Sequence, residues 1–128
     1  CDEDRRHTDT LARELDELGH AVEVVRSHAE AFAIACAYDI DALVVAPFLR
    51  DGSALVLPSA LGIRRPRLVV LVSSLAERIA PRVVARLVFD AQLTKVVAPG
   101  ELDRLLARAR RRDEVANERK GGGSTSGR

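Results

Sequence analysis

Two hydrophobic periods alternate along the chain. Over residues 8–19 (TDTLARELDELG), leucines at 11, 15 and 18 fall on one stripe of a helix. Thr8 or Asp9 is placed to cap its start, and Gly19 to stop it. Residues 21–25 (AVEVV) read as a short strand. Residues 27–38 (SHAEAFAIACAY) read as a helix, with Ser27 as cap and Glu30 three residues on, a capping-box spacing. Residues 42–46 (ALVVA) show no polar alternation, which predicts a strand buried on both faces, as in a parallel sheet.

The pattern then repeats. Residues 53–61 predict a short helix and residues 67–72 (RLVVLV) a strand. Residues 75–87 (LAERIAPRVVARL) predict a helix that kinks or starts late at Pro81, because proline has no N–H to give the preceding turn. A short strand is expected near residues 91–94. The last helix should run from about Gly100 to Val115, with Pro99 near its start. The closing GGGSTSGR has no side chains to pack, so residues 117–128 read as a flexible tail or linker behind one domain over residues 1–116. Strands alternating with helices of this length define an α/β fold with a parallel sheet. In such sheets the functional crevice lies beyond the carboxyl ends of the strands. That rule points at Ala46, at Ser73 and Ser74, and at Lys95. Ala46 has no group that attacks, ligates or donates.

Composition narrows the classes. With 128 residues, 47% of them hydrophobic, the chain is long enough for one real core. Net charge is only +1, which argues against a dedicated nucleic-acid binder. The two cysteines, Cys1 and Cys36, have no metal-ligand spacing and fit a reducing compartment. No apolar run reaches membrane-spanning length and no signal peptide opens the chain, so a cytoplasmic protein is expected. Three phenylalanines and one tyrosine provide no stacking platform for bases. Neither a P-loop nor a dinucleotide fingerprint is present.

Taken in order, these residues resemble the receiver domain of two-component response regulators. Asp2 and Glu3 match the family's acidic pair, and the stretch to ELG has the usual length. APFLRDG stands where the family's phosphoacceptor aspartate ends the third strand, so Ala46 matches the acceptor. Ser73 matches the Ser or Thr ending the fourth strand, and Lys95, in LTK, the lysine ending the fifth. The resemblance covers roughly residues 1–112. It implies a doubly wound, five-stranded parallel sheet in the order 2-1-3-4-5. The chain departs from the family in four ways. Ala46 replaces the nucleophile. Val96 stands where a proline usually follows the lysine, and Gln92 where the switch aromatic commonly sits. Because the chain opens at the acidic pair, the first strand is expected to be missing and the domain N-terminally truncated.

The chemistry expected from this resemblance is reduced. In a receiver the aspartate attacks a phosphoryl group, magnesium offsets the growing charge, and the hydroxyl and ammonium stabilise it. Without a carboxylate at Ala46 no acyl phosphate forms there. Asp51 reads as an ordinary Asp-Gly turn residue rather than a substitute acceptor. No catalytic residue and no dedicated metal site is expected. At most Asp2 and Glu3 would hold magnesium weakly, because one of the usual side-chain ligands is gone. Lys95 is expected to pair with Asp2 or Glu3 and so hold the site in one state. His7, His20 and His28 have no metal spacing. Cys36 reads as a buried small hydrophobe on an Ala-rich helix. The arginines of RLLARARRR read as a solvated helix face.

The resulting expectation is a non-enzymatic, phosphorylation-independent pseudo-receiver of a bacterial phosphorelay. It would act as a protein-interaction module through its last helices and last strand. Expected partners are a kinase, an output domain or a second receiver, including a homodimer, with neither nucleic acid nor membrane involved. The alternative is a structural doubly wound domain of a larger signalling protein or enzyme.

Overall fold

The computed structural model describes residues 1–2 and 4–126. The element order is α1 (Arg5–Glu17), α2 (His28–Ala37), β1 (Ala42–Val45), β2 (Phe48–Leu49), β3 (Gly52–Ser53), α3 (Leu57–Leu61), β4 (Leu68–Ser73), α4 (Pro81–Arg86), β5 (Ala91–Thr94) and α5 (Pro99–Ser126). β1, β4 and β5 form a parallel sheet in the order β1-β4-β5, with Val44 beside Val70 and Leu71 beside Gln92. β2 and β3 make a separate two-residue hairpin that the sequence pattern did not predict.

β4 sorts the core. Its side chains alternate between faces, as a strand's must. Val69 and Leu71 join Ala31 and Ala35 of α2, Leu57 and Leu61 of α3 and Val84 of α4. Leu68, Val70 and Val72 join Leu11 of α1 and Leu102, Leu106 and Ala109 of α5. The doubly wound α/β class expected from the alternating pattern is the one formed.

Local chemistry sets the helix ends. α1 starts ahead of Thr8, so the expected caps Thr8 and Asp9 are corrected to Asp4, whose Oδ1 accepts the His7 N–H at 3.2 Å. The Thr8 hydroxyl turns back instead to the Asp4 and Arg5 carbonyls. Gly19, at φ +93°, provides the left-handed residue behind the helix. Ser27 caps α2 as expected, its Oγ accepting the Glu30 N–H at 3.1 Å. Cys36 is exposed, which corrects its expected burial: α2 turns Ala31 and Ala35 to the core instead. α4 begins at Pro81, the late start its proline required. α5 carries on past Val115 to Ser126. Among the side chains described, the last buried one on α5 is Ala109, and residues 114–119 are exposed.

Residues 21–25 are not a strand, which corrects the expectation for AVEVV. A strand needs a neighbour to take its ladder bonds, and this segment meets only the start of the chain. The Asp2 N–H donates to the Val25 carbonyl at 3.2 Å. On the other side the Cys1 amino group donates to the Val44 carbonyl, and the Ala46 N–H to the Cys1 carbonyl at 2.9 Å. Cys1 and Asp2 thus sit as one rung between β1 and residues 21–25. Beyond that rung runs a groove of about 550 Å³, walled by Leu11, Leu15, Val22, Ile34 and Leu43 among others. The open groove also leaves Ala42, Leu43 and Val44 only half buried, where the sequence predicted burial on both faces.

Candidate functional site

The carboxyl edge of the sheet gathers the residues singled out by the strand-end rule. Ala46 follows β1 and is buried, its N–H already bonded to Cys1. Ser73 ends β4 and is fully buried. Lys95 follows β5, and its N–H donates to the Ser73 carbonyl at 3.0 Å. The Lys95–Val96 peptide bond is cis. The Lys95 ammonium lies 2.8 Å from Asp2 Oδ2 and 3.5 Å from Asp4 Oδ2. Asp2 and Lys95 are therefore brought together. Glu3 lies outside the described residues.

Asp2 is buried, and its Oδ1 accepts the Asp4 N–H at 3.0 Å. Burial on its own lowers the Lys95 pKa. The hydrogen bond and charge of Asp2, then those of Asp4, outweigh burial and raise it above the usual lysine range. Asp4 is held below the ordinary carboxylate range, first by the His7 backbone N–H. The His7 ring is buried against the same pair. Its Nδ1 stands 3.6 Å from Asp2 Oδ2, and neither ring nitrogen has a hydrogen-bond partner.

Ser73 does not face this ion pair with a free hydroxyl. Its Oγ donates to Gln92 Oε1 at 3.3 Å. The same Gln92 oxygen accepts the Ile79 N–H at 2.9 Å, while Gln92 Nε2 donates to the Ile79 carbonyl at 2.8 Å. One amide thus ties the β4 end to the loop before α4. Ser74 is also committed, forming a capping box with Glu77 over the turn at Leu75–Glu77.

Asp4, His7 and Gln92 are the residues the sequence reading missed as participants. Asp4 directly follows the acidic pair and His7 lies four residues beyond Glu3, and that closeness was the available signal. Gln92 was noted only as a departure, and no local pattern foretells its partner Ile79. Asp51 also has a definite task. Its two carboxylate oxygens accept the His28 and Ala29 N–H groups at 2.9 and 3.1 Å, at the start of α2. Those bonds, His28's first, hold its pKa below the usual range.

A magnesium ion of the kind receivers hold does not fit the described donors. Magnesium needs several oxygens in near-octahedral array. Asp2 is engaged by Lys95, and Ala46 adds no side-chain oxygen. Among the described residues no group of three His, Cys, Asp or Glu side chains is arranged to hold a metal ion.

The same arrangement of sheet and helices is found in proteins of known structure. No family model and no curated protein matches the chain. Solved structures do. The chain is similar to a structure from a family of redox sensors in the streptococci evolved from two-component response regulators, with a TM-score of 0.76 and 21% identity. The match covers 91% of this chain and 52% of that one, so the chain spans about half of that protein. It is similar to a response regulator from Burkholderia pseudomallei, solved with a phosphorylated aspartic acid, calcium and citrate, at TM-score 0.71 and 24% identity over 92% of this chain and 69% of that one. A CheY-like receiver domain protein from Methanospirillum hungatei JF-1 matches at TM-score 0.75 and 18% identity, over 88% of this chain and 92% of that one. The fold is thus the one shared by response-regulator receiver domains. Among the described residues no helix is long and apolar enough to cross a membrane.

Proposed function

We propose that the chain is a phosphorylation-independent pseudo-receiver. It works as a protein-interaction module in two-component signal transduction, in the bacterial cytoplasm, and is not itself an enzyme. Residues 1–116 are the receiver-like domain, and residues 117–128 are a tail or linker behind it. In this reading Ala46 is the degenerate acceptor position, and Asp2, Glu3, Ser73 and Lys95 are remnants of the ancestral site.

The supporting observation is that each remnant within the described residues is satisfied internally. Lys95 is paired with Asp2 at 2.8 Å, the Ser73 hydroxyl is bound by Gln92, and Ala46 has no nucleophile. A phosphoryl group would find no attacking oxygen at position 46. Its ammonium and hydroxyl partners would have to break existing contacts first. The similar structure from redox sensors that evolved from response regulators supports a receiver fold serving another input. Partners, a kinase, an output domain or a second receiver, would dock on the last helices and last strand.

Intact-mass spectrometry after incubation with acetyl phosphate and magnesium tests the reading. The expected result is no phosphoryl adduct. An acid-stable, base-labile adduct mapping to Asp51 or another carboxylate overturns it.

A further inference from the structure

α2 is joined to the domain by little apolar surface. Of its ten residues only Ala31 and Ala35 are buried. An alanine methyl removes far less area from water than a leucine side chain does. Ile34 is half buried and lines the groove along β1, and Phe32 stays 39% exposed. Neither flank anchors the helix, since residues 21–27 and 38–41 form no helix or strand.

What fastens α2 is one charged side chain at each end. Both Asp51 carboxylate oxygens are taken up by the His28 and Ala29 N–H groups. At the other end Arg64 Nη2 donates to the carbonyls of Ala35, Cys36 and Tyr38 at 3.4, 3.2 and 3.3 Å. Each charge has the sign that the adjoining helix end favours. Both residues are exposed and come from outside α2, Asp51 from the turn between β2 and β3 and Arg64 from behind α3. The closed helix also has something to gain by lifting. His28 Nε2 is buried with no hydrogen-bond partner among the described residues, and water would satisfy it in the open state.

We propose that α2 is a lid, held shut by the Asp51 and Arg64 clamps, that opens as one unit while the sheet stays folded. Segments with few buried apolar contacts open locally in this way. Because both clamps are exposed, whatever engages either of them from solution sets how far the lid opens. Opening widens the groove, whose wall includes Ile34 and Ala35, and uncovers the core cluster around Val45 and Leu57. The Asp2–Lys95 pair is no part of the lid, which therefore stands or falls apart from the pseudo-receiver reading.

Native-state hydrogen exchange on the whole chain tests this. In the parent, the amides of residues 31–38 should exchange about a hundredfold or more faster than those of Val70 and Leu71 in β4. They should also depend less on urea, because local opening exposes less surface than global unfolding. D51A and R64A should each speed the α2 amides about tenfold, the usual effect of losing a helix cap. H28L should slow them about threefold, because the orphaned nitrogen is gone. L106V loosens the opposite core cluster and is the control. It should speed the β4 amides and leave residues 31–38 unchanged, since the closed and open lid lose the same contact. The lid is overturned if residues 31–38 and β4 exchange at one common rate, or if L106V speeds both equally. It is also overturned if D51A and R64A leave α2 unmoved, or if H28L exchanges no more slowly than the parent.

Discussion

β1 and β4 are neighbours of nearly the same composition, ALVV against LVVLVS, yet they live in different environments. Every residue of β4 is buried, and Val69, Val70 and Leu71 are 0% exposed. In β1 only Val45 reaches that state. Both strands have helices over their faces. The difference is at the edges: β4 has a strand on each side, and β1 has β4 on one side and the groove on the other. An all-apolar strand therefore states a demand for neighbours on both edges. Whether those neighbours are present depends on other segments.

Filling the groove is the strongest way to erase this contrast. An apolar strand of about five residues joined ahead of Cys1 would continue the rung already made with Val44 and Val25. Burying each aliphatic side chain contributes roughly 1.5–3 kcal/mol, against about 1.5–2 kcal/mol of ordering cost per residue. The expected net gain is about 3 kcal/mol, or a rise of roughly 10 °C in melting temperature. Hydrogen exchange should show new protection at the Val44 and Val25 amides, whose carbonyls already face that edge, and residues 21–25 should become a strand. An unchanged melting temperature would mean that β1 is no weaker a part of the sheet than β4.

The same contrast explains what the sequence disclosed. The period of apolar residues located β1, β4, β5 and all of the longer helices, because those elements bury a face regardless of exact neighbours. It misassigned residues 21–25, because VEVV has strand propensity and propensity yields to the absence of a hydrogen-bonding partner. The hairpin Phe48–Leu49 with Gly52–Ser53 was hidden in what read as a bare turn. At the site, strand-end positions alone selected Ala46, Ser73 and Lys95. The partners they meet were not legible. Gln92 with Ile79, and Asp51 with the start of α2, are contacts between residues far apart in sequence, set by how the loops fold over the strand ends.

The rung itself provides a smaller, pH-dependent test. With a free amino group at Cys1, burial is the main cause that lowers its pKa from 8.0 to about 6. The Asp2 charge opposes this and Arg26 adds to it. Between those two values the unfolded chain holds the proton more than the folded one. Stability therefore rises as pH goes from about 6 to 8, and the penalty is complete below 6. Its size is roughly 2–3 kcal/mol, at 1.36 kcal/mol per pKa unit. Urea unfolding across that range should show the slope, and acetylation of Cys1 should flatten it. An equal slope in the acetylated chain would assign the effect to groups other than the Cys1 amine.

The smallest expected effect concerns the point where β1 meets the site. Ala46 and Asp2 line the same groove, and Asp2 is held by Lys95 at 2.8 Å. Ala46→Asp sets a second buried carboxylate beside that pair, with only one ammonium to serve both. Like charges so placed disfavour joint ionisation. Lys95 offsets part of the repulsion, so the metal-free variant should lose only about 1 kcal/mol. Divalent cation is the distinguishing reagent, since it adds stability only if the folded state alone binds it. A magnesium titration should raise the variant's melting temperature back to the parent's while leaving the parent almost unmoved. Identical responses in the two chains would mean that position 46 does not project into a cation-competent site, and the assignment of Ala46 as the degenerate acceptor would fall. A full magnesium response in the parent would show instead that Asp2 leaves Lys95 readily, and that the pair does not hold this edge in one state.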